Sequence, residues 1–389
     1  MFGNFKRLLA VGMGSILLTA CQVIPNGNGG LADTGSTPVD NTPVAGPSAD
    51  VLPQDTERHR VALLVPLSGT NAQVGQSIAN ATTMALLDTG AENLRITTYD
   101  TAGGAGDAAR RAISDGNRLI LGPLVRNNVG SVLEQARDAD VPLITFSNDT
   151  TVARNDVFVM GHIPEQSVER TVSFAVDQGA RRFAILAPRG DYGNRTTAAA
   201  ERAVAARGGS VVDVQRYDRN NTSIISAADR LAQQGGYDTV LIADSARLAT
   251  MAAPRLKDAG DALPSIIGTE LWSREAELTR SNALRGAWFS SVSDDRYAQF
   301  AESYESRFGG EPFRIATLGY DAVLLTLRLT RDWRPGRDLP DGLLTNSEGF
   351  LGLDGPFRFM SNGIGERAFE VRQVGNGVFT VVDAAPRGF

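Results

Sequence analysis

From residue 60 onward the chain alternates two apolar patterns. "RVALLV" at 60–65 runs through Val, Ala, Leu, Leu and Val without a polar interruption, which marks a strand buried on both faces. "AQVGQSIANATTMALLD" then repeats apolar positions at helical spacing through Val74, Ile78, Ala81 and Ala85. Continuous runs return in "LRITTYD", "LILGPL" and "VPLITFSND", separated by helical patterns at Ala105–Ile113 and in "VGSVLEQARDA". The unit then repeats. Helices "VERTVSFAVDQG", "NRTTAAAERAVAARGG", "IISAADRLAQQG" and "RLATMAAPRLKDAG" alternate with strands "RFAILAP", "VVDVQRY", "DTVLIAD" and "PSIIGTE". Such alternation requires a parallel sheet covered on both faces, hence an α/β fold. Two successive layers of similar length predict two lobes, each a parallel sheet with helices on both faces. Ligands of open sheets bind beyond the C-terminal strand ends. Here those ends are "PLSG", "LGPL", "FSND", "PRGDYGN", "IADSA" and "GTELW", and a cleft between lobes is the expected site.

The N-terminus follows a different rule. Lys6 and Arg7 precede an apolar stretch, Leu8 to Leu18, and small residues lead into Cys21, the chain's single cysteine. Eleven apolar residues are too few to span a bilayer, which takes about 20. Residues 1–20 therefore read as a removable signal peptide. "LTAC" resembles the bacterial lipoprotein box, which implies a lipidated, palmitate-bearing Cys21 as the mature N-terminus; the alternative is an ordinary signal peptide with an incidental cysteine. By the same resemblance Gln22, in place of the Asp that retains lipoproteins at the inner membrane, implies the outer membrane. Residues 21–57 hold Pro25, Pro38, Pro43, Pro47 and Pro53 among Gly, Asn, Thr and Ser with no periodic apolar face. They read as a disordered tether between lipidated cysteine and folded domain.

Charge narrows the partners. The formal net charge is −6, and removal of residues 1–20 takes away Lys6 and Arg7 alone, leaving −8. A nucleic-acid partner would call for a basic surface, so none is expected. Enzymatic signatures are missing as well. There is no G-x-S-x-G elbow, no P-loop and no H-E-x-x-H. His59 and His162 are the only histidines, too few and too far apart for a zinc site. The sequence predicts no cofactor, no metal and no catalysis.

Four segments carry a family resemblance: "VALLVPLSGTNAQVGQSIANATTMAL", "GPLVRNNVGSVLEQARDADVPLITFS", "RFAILAPRGDYGNRTTAAAERAVAARGG" and "ATLGYDAVLL". In this order they resemble type I periplasmic binding proteins of the leucine/isoleucine/valine-binding group, over about residues 58–383. Together with the cysteine, "LGPLVRNNV" looks most like the penicillin-binding protein activator lipoproteins (LpoA/LppC-type). The resemblance implies lobe 1 at about 58–162 and 288–354, and lobe 2 at about 163–287 and 355–383. It places crossings near Met160–Pro164, Gly286–Ser290 and Leu353–Phe357. The last piece reads as a hairpin, 367–374 and 378–382, around Gly375-Asn376-Gly377.

The resemblance also implies a site. Glu270 in "GTELW", beside Trp272, matches the carboxyl group that meets a ligand ammonium; the alternative is a solvated loop acid. Tyr192 in "GDYGN" matches an aromatic covering the ligand, or else supports its own turn. In lobe 1, Ser147, Asn148 and Asp149 in "FSND" occupy a loop that holds a ligand carboxylate, with Ser68 at the end of the first strand. Several positions depart from the amino-acid pattern. Arg126 stands where a serine is usual, Ser245 where a tyrosine is expected, and Val74 where an aromatic stacks. Two functions follow. One is a lipid-anchored outer-membrane protein that faces the periplasm and activates a class A penicillin-binding protein in peptidoglycan synthesis. The other is the amino-acid receptor of an ABC transporter, with an amino acid, peptide or muropeptide in the cleft. The best-known activators carry a helical-repeat domain ahead of this one, where this chain has the tether.

Overall fold

The computed structural model describes residues 57–257 and 264–389; Cys21, the signal peptide and residues 22–56 of the tether lie outside the described residues. The first lobe begins with β1 (His59–Val65), α1 (Ala72–Thr89), β2 (Leu94–Asp100), α2 (Ala105–Ser114), β3 (Ile120–Leu121), α3 (Val129–Arg137), β4 (Leu143–Thr145) and β5 (Val157–Val159). These strands form a parallel sheet in the order β2-β1-β3-β4-β5. The uninterrupted apolar run of β1 is central, and Val61 to Val65 are completely buried between helices on both faces.

The chain crosses at 160–163 into the second lobe. There it forms α4 (Pro164–Asp177), β6 (Arg182–Pro188), α5 (Asp191–Ala206), β7 (Ser210–Tyr217), α6 (Ser223–Gln234), β8 (Thr239–Ile242), α7 (Ala246–Lys257), β9 (Ser265–Ile267), α8 (Glu277–Arg280) and β10 (Trp288–Ser291). It returns through α9 (Tyr297–Phe308) and α10 (Thr317–Leu329), which pack against α1 in the first lobe. A small antiparallel sheet follows, β11 (Phe350–Gly352), β12 (Gly355–Phe359) and β13 (Gly365–Arg367). The hairpin β14 (Glu370–Val374) and β15 (Phe379–Asp383) completes a seven-stranded sheet, β15-β14-β10-β9-β8-β6-β7.

Two of the expected crossings move. Trp288 to Ser291 pair with β14 on one side, and Trp288 pairs with Ile267 of β9 on the other, so this segment belongs to lobe 2. The second crossing therefore follows Ser291 instead of lying at Gly286–Ser290. Phe357 and Phe359 join the lobe 1 core with Phe158 and Leu63, and Val159 donates its N–H to the Gly363 carbonyl at 2.8 Å. Residues 355–367 are thus part of lobe 1, and the third crossing falls at 368–369 instead of Leu353–Phe357. The lobe membership of both segments is decided by contacts far away in sequence.

The crossings share one buried charge network. Arg314, at the entry to α10, donates to Asp354 at 2.8 Å and lies 3.5 Å from Asp294 of the second crossing. His162 of the first crossing contacts Asp354 at 2.9 Å, and Thr317 donates to the same carboxylate at 2.8 Å. Burial alone would raise the Asp354 carboxyl, but Arg314, His162 and Arg367 hold it well below the usual range. Arg372 of β14 pairs with Asp294 and Glu370, and Arg367 pairs with Asp321 at 3.3 Å.

Candidate functional site

Both sheets aim their C-terminal strand ends at a cavity of about 480 Å³, within the roughly 300–1,000 Å³ of small-molecule sites. Lobe 1 lines it with Arg126, Ser147, Asn148 and Arg314, and with apolar Leu124, Phe146 and Ile315. Lobe 2 lines it with Glu270, Leu271, Ser273 and Glu275, and His162 comes from the first crossing.

Glu270 opens a single 3-10 turn, Glu270–Trp272, that leaves β9 after Gly268 and Thr269. The turn is pinned from below by Trp272, which is completely buried and donates its indole N–H to the Asp244 carbonyl at 2.9 Å. Gly268 is required there, because a Cβ at that position would sit 2.3 Å from the Trp272 ring. Trp272 was expected in the cleft beside Glu270; it lies instead in the lobe 2 core against Phe289, where its large apolar surface is removed from water.

With the turn held, the Glu270 carboxylate is enclosed. Tyr192, at the start of α5, donates its hydroxyl to Glu270 Oε1 at 3.0 Å and lies 2.8 Å from Thr269 Oγ1. Oε2 has no hydrogen-bond partner, since the neighbouring Ser167 hydroxyl is committed to the Ser290 carbonyl at 2.9 Å. Burial pushes the Glu270 carboxyl up to about 7, against the hydrogen bond from the Tyr192 hydroxyl, which favours the charged form. Tyr192 does not line the cavity itself. It braces Glu270, and the Arg219 guanidinium covers its ring at 5.1 Å.

The lobe 1 wall is arranged otherwise. Arg126 reaches Asp149 at 2.9 Å, and Asp149 also accepts from the Thr151 N–H at 2.8 Å and hydroxyl at 2.6 Å. Burial would raise this acid, but those two bonds and then Arg126 hold it below the ordinary aspartate value. Asp149 was expected to face a ligand; it is buried and serves as the cap of its own loop. Ser147 and Asn148 stay at the cavity. The Asn148 carbonyl accepts from Arg195 of lobe 2 at 2.8 Å, while Arg195 clasps Glu165 through two bonds of 2.7 Å.

Two expected residues do not arrive. Ser68 is exposed and donates to Asp100 at 2.8 Å, beyond the lining. Ser245 accepts the Ala249 N–H at the start of α7, also outside the cavity. Sequence reasoning missed Arg314, Ser273 and Glu275, and it considered His162 only as a metal ligand. Ser273 and Glu275 share the loop of Glu270, a signal that was present. Arg314 stands in "FRIATLGYDA", far from the strand ends that guided the search. Half of the six enclosed, unpartnered side-chain atoms among the described residues belong to residues that line this cavity: Glu270 Oε2, Ser273 Oγ and Arg314 Nε. Orphaned buried polar atoms are rare in folded proteins, and their grouping in residues around one cavity makes it the candidate site. No group of His, Cys, Asp and Glu able to hold a metal occurs among the described residues, nor any helix long and apolar enough to cross a membrane.

Comparisons with known proteins agree with this architecture. Residues 59–377 match the family model described as periplasmic binding protein. The chain is 25% identical over 285 residues to penicillin-binding protein activator LpoA of Mannheimia succiniciproducens, covering 69% of this chain and 48% of that protein. Its fold is similar to a putative branched-chain amino acid ABC transporter protein of Rhodospirillum rubrum, with TM-score 0.73, 19% identity, and 84% and 100% of the two chains covered. It is also similar to full-length LpoA of Haemophilus influenzae, with TM-score 0.65, 20% identity, and 85% and 60% covered. The matches span about half the length of two of the relatives found by sequence, and about a fifth to a quarter of others. On this evidence it belongs to the periplasmic binding protein family, with the two-lobe type I fold, and is related to LpoA.

Proposed function

We propose that this chain is a non-enzymatic lipoprotein, anchored through Cys21 in the outer membrane and facing the periplasm, that binds and activates a class A penicillin-binding protein. The observation that carries the reading is its similarity to proteins named penicillin-binding protein activator, over 69% of the chain in one case. The lobe 1 wall supports it too, because Arg126 is already taken up by Asp149 and Ser68 by Asp100. The test uses mature full-length protein with purified class A penicillin-binding protein. Binding at micromolar concentration and a raised polymerase or transpeptidase rate are expected; the absence of binding overturns the reading. Cys21→Ser should release the protein into the soluble periplasm, and retention in the membrane fraction would refute the anchor.

A second reading, the solute-binding protein of an amino-acid transporter, is favoured by the three orphaned polar atoms carried by residues that line the cleft. A ligand at about 100 times its dissociation constant adds about 2.7 kcal/mol of stability, so thermal unfolding against amino acids reads it directly.

A further inference from the structure

The charges around the cleft do not balance. Each arginine that lines it already has a carboxylate: Arg126 has Asp149 at 2.9 Å, and Arg314 has Asp354 at 2.8 Å and Asp294 at 3.5 Å. Arg195, at the rim beside Asn148, is clasped by Glu165 at 2.7 Å. The acids of the opposite wall are not matched. Among the described residues Glu270 and Glu275, the acids that line it, have no ion-pair partner, although Arg274 lies between them in sequence. Its guanidinium turns to Asp294 at 4.0 Å and to the Tyr297 ring at 4.5 Å. Glu270 Oε2 is shut away from solvent without a hydrogen bond. A buried carboxylate is costly unless a cation or donor meets it.

We propose that the cleft binds a cationic ligand, an amino acid or short peptide bearing a side-chain amine or guanidinium, in preference to a neutral branched-chain amino acid. The inference rests on the solute-binding reading of the cleft and is independent of the penicillin-binding protein. Glu270 Oε2 takes an ammonium group, and Glu275 draws the second positive charge. Arg314 and Ser273 line the same cavity, and their Nε and Oγ have no hydrogen-bond partner. They offer donors to a carboxylate or carbonyl oxygen, an acceptor that a simple polyamine does not have. The cavity of about 480 Å³ has room for a dipeptide as well as a free amino acid.

Isothermal titration of the mature protein with L-lysine, L-arginine, a Lys-Ala dipeptide, L-leucine and putrescine tests this. At least one of the first three should bind tenfold or more tightly than leucine, with putrescine weaker than that ligand. Glu270→Gln should weaken binding at least tenfold in a protein that still melts cooperatively, and Glu275→Gln should weaken it less. Leucine binding as tightly as every cationic probe would overturn the inference while leaving the solute-binding reading intact. Full affinity in Glu270→Gln would overturn it as well. No binding by any probe would overturn both.

Discussion

In each lobe the helix that follows the first strand, α1 after β1 and α5 after β6, opens in the same way and is then used differently. In lobe 1 the chain leaves β1 at Pro66 and returns so closely that a Cβ on Gly75 would stand 1.8 Å from the Pro66 carbonyl oxygen. In lobe 2 it leaves β6 at Pro188, and a Cβ on Gly193 would stand 1.8 Å from the Pro188 oxygen. The backbone corner is thus repeated. Lobe 1 spends its corner on itself, with Ser68 and the Leu67 N–H both bound to Asp100 at 2.8 Å. Lobe 2 sends Tyr192 from its corner to Glu270. Shared architecture sets where loops converge, and individual side chains decide which corner becomes part of a site.

The comparison can be broken at several points. Trp272→Ala should have the largest effect, about 3–5 kcal/mol by denaturant unfolding, because it empties the core beneath the Glu270 turn. Ligand binding should fall with it. Next, Gly75→Ala and Gly193→Ala should each cost about 1–3 kcal/mol through overpacking against a carbonyl. Similar losses from the two would confirm the equivalence of the corners, and a harmless change at one would refute it.

A pH experiment isolates Glu270. Its folded carboxyl lies near 7 and its ordinary value is 4.5, so the folded state holds the proton more tightly than the unfolded state. The contribution of this carboxyl to the stability of the unliganded protein should therefore be fullest below about pH 4.5 and be lost as pH rises through about 7. The groups facing this carboxyl are Tyr192, Ser167, Thr269 and Glu165. Asp321, also raised to about 7 by burial and by Asp354, declines in the same window. The difference between wild type and Glu270→Gln separates the two, and the variant should show the shallower slope. Ser68→Ala should have the smallest effect, below about 1 kcal/mol for an exposed hydrogen bond, with ligand affinity unchanged. A loss of affinity there would return the lobe 1 corner to the site.

Legibility of the site followed the range of each interaction. Glu270, Ser147, Asn148 and Arg126 lie in strand-end loops, which local pattern marks, and the family resemblance singled them out within those loops. Asp149 and Trp272 were in the right loops but have the wrong exposure, since neither a cap to Thr151 nor a core slot beneath Gly268 is visible in a linear motif. The crossing expected at Gly286–Ser290 moved because "WFSS" became a strand only when β14, some eighty residues later, paired with it.

Alternating apolar runs and helical spacings by themselves determined the α/β class, the two-lobe plan and the loops from which a site could be built. They do so because backbone hydrogen bonding and one-sided or two-sided burial are repeated every few residues. Tertiary structure alone decided that Arg126 answers to Asp149, that Arg314 joins the hinge to the cleft, and that Glu270 stands unpaired. Those outcomes depend on which charges are removed from water together, and desolvation is a property of the assembled neighbourhood rather than of any stretch of chain.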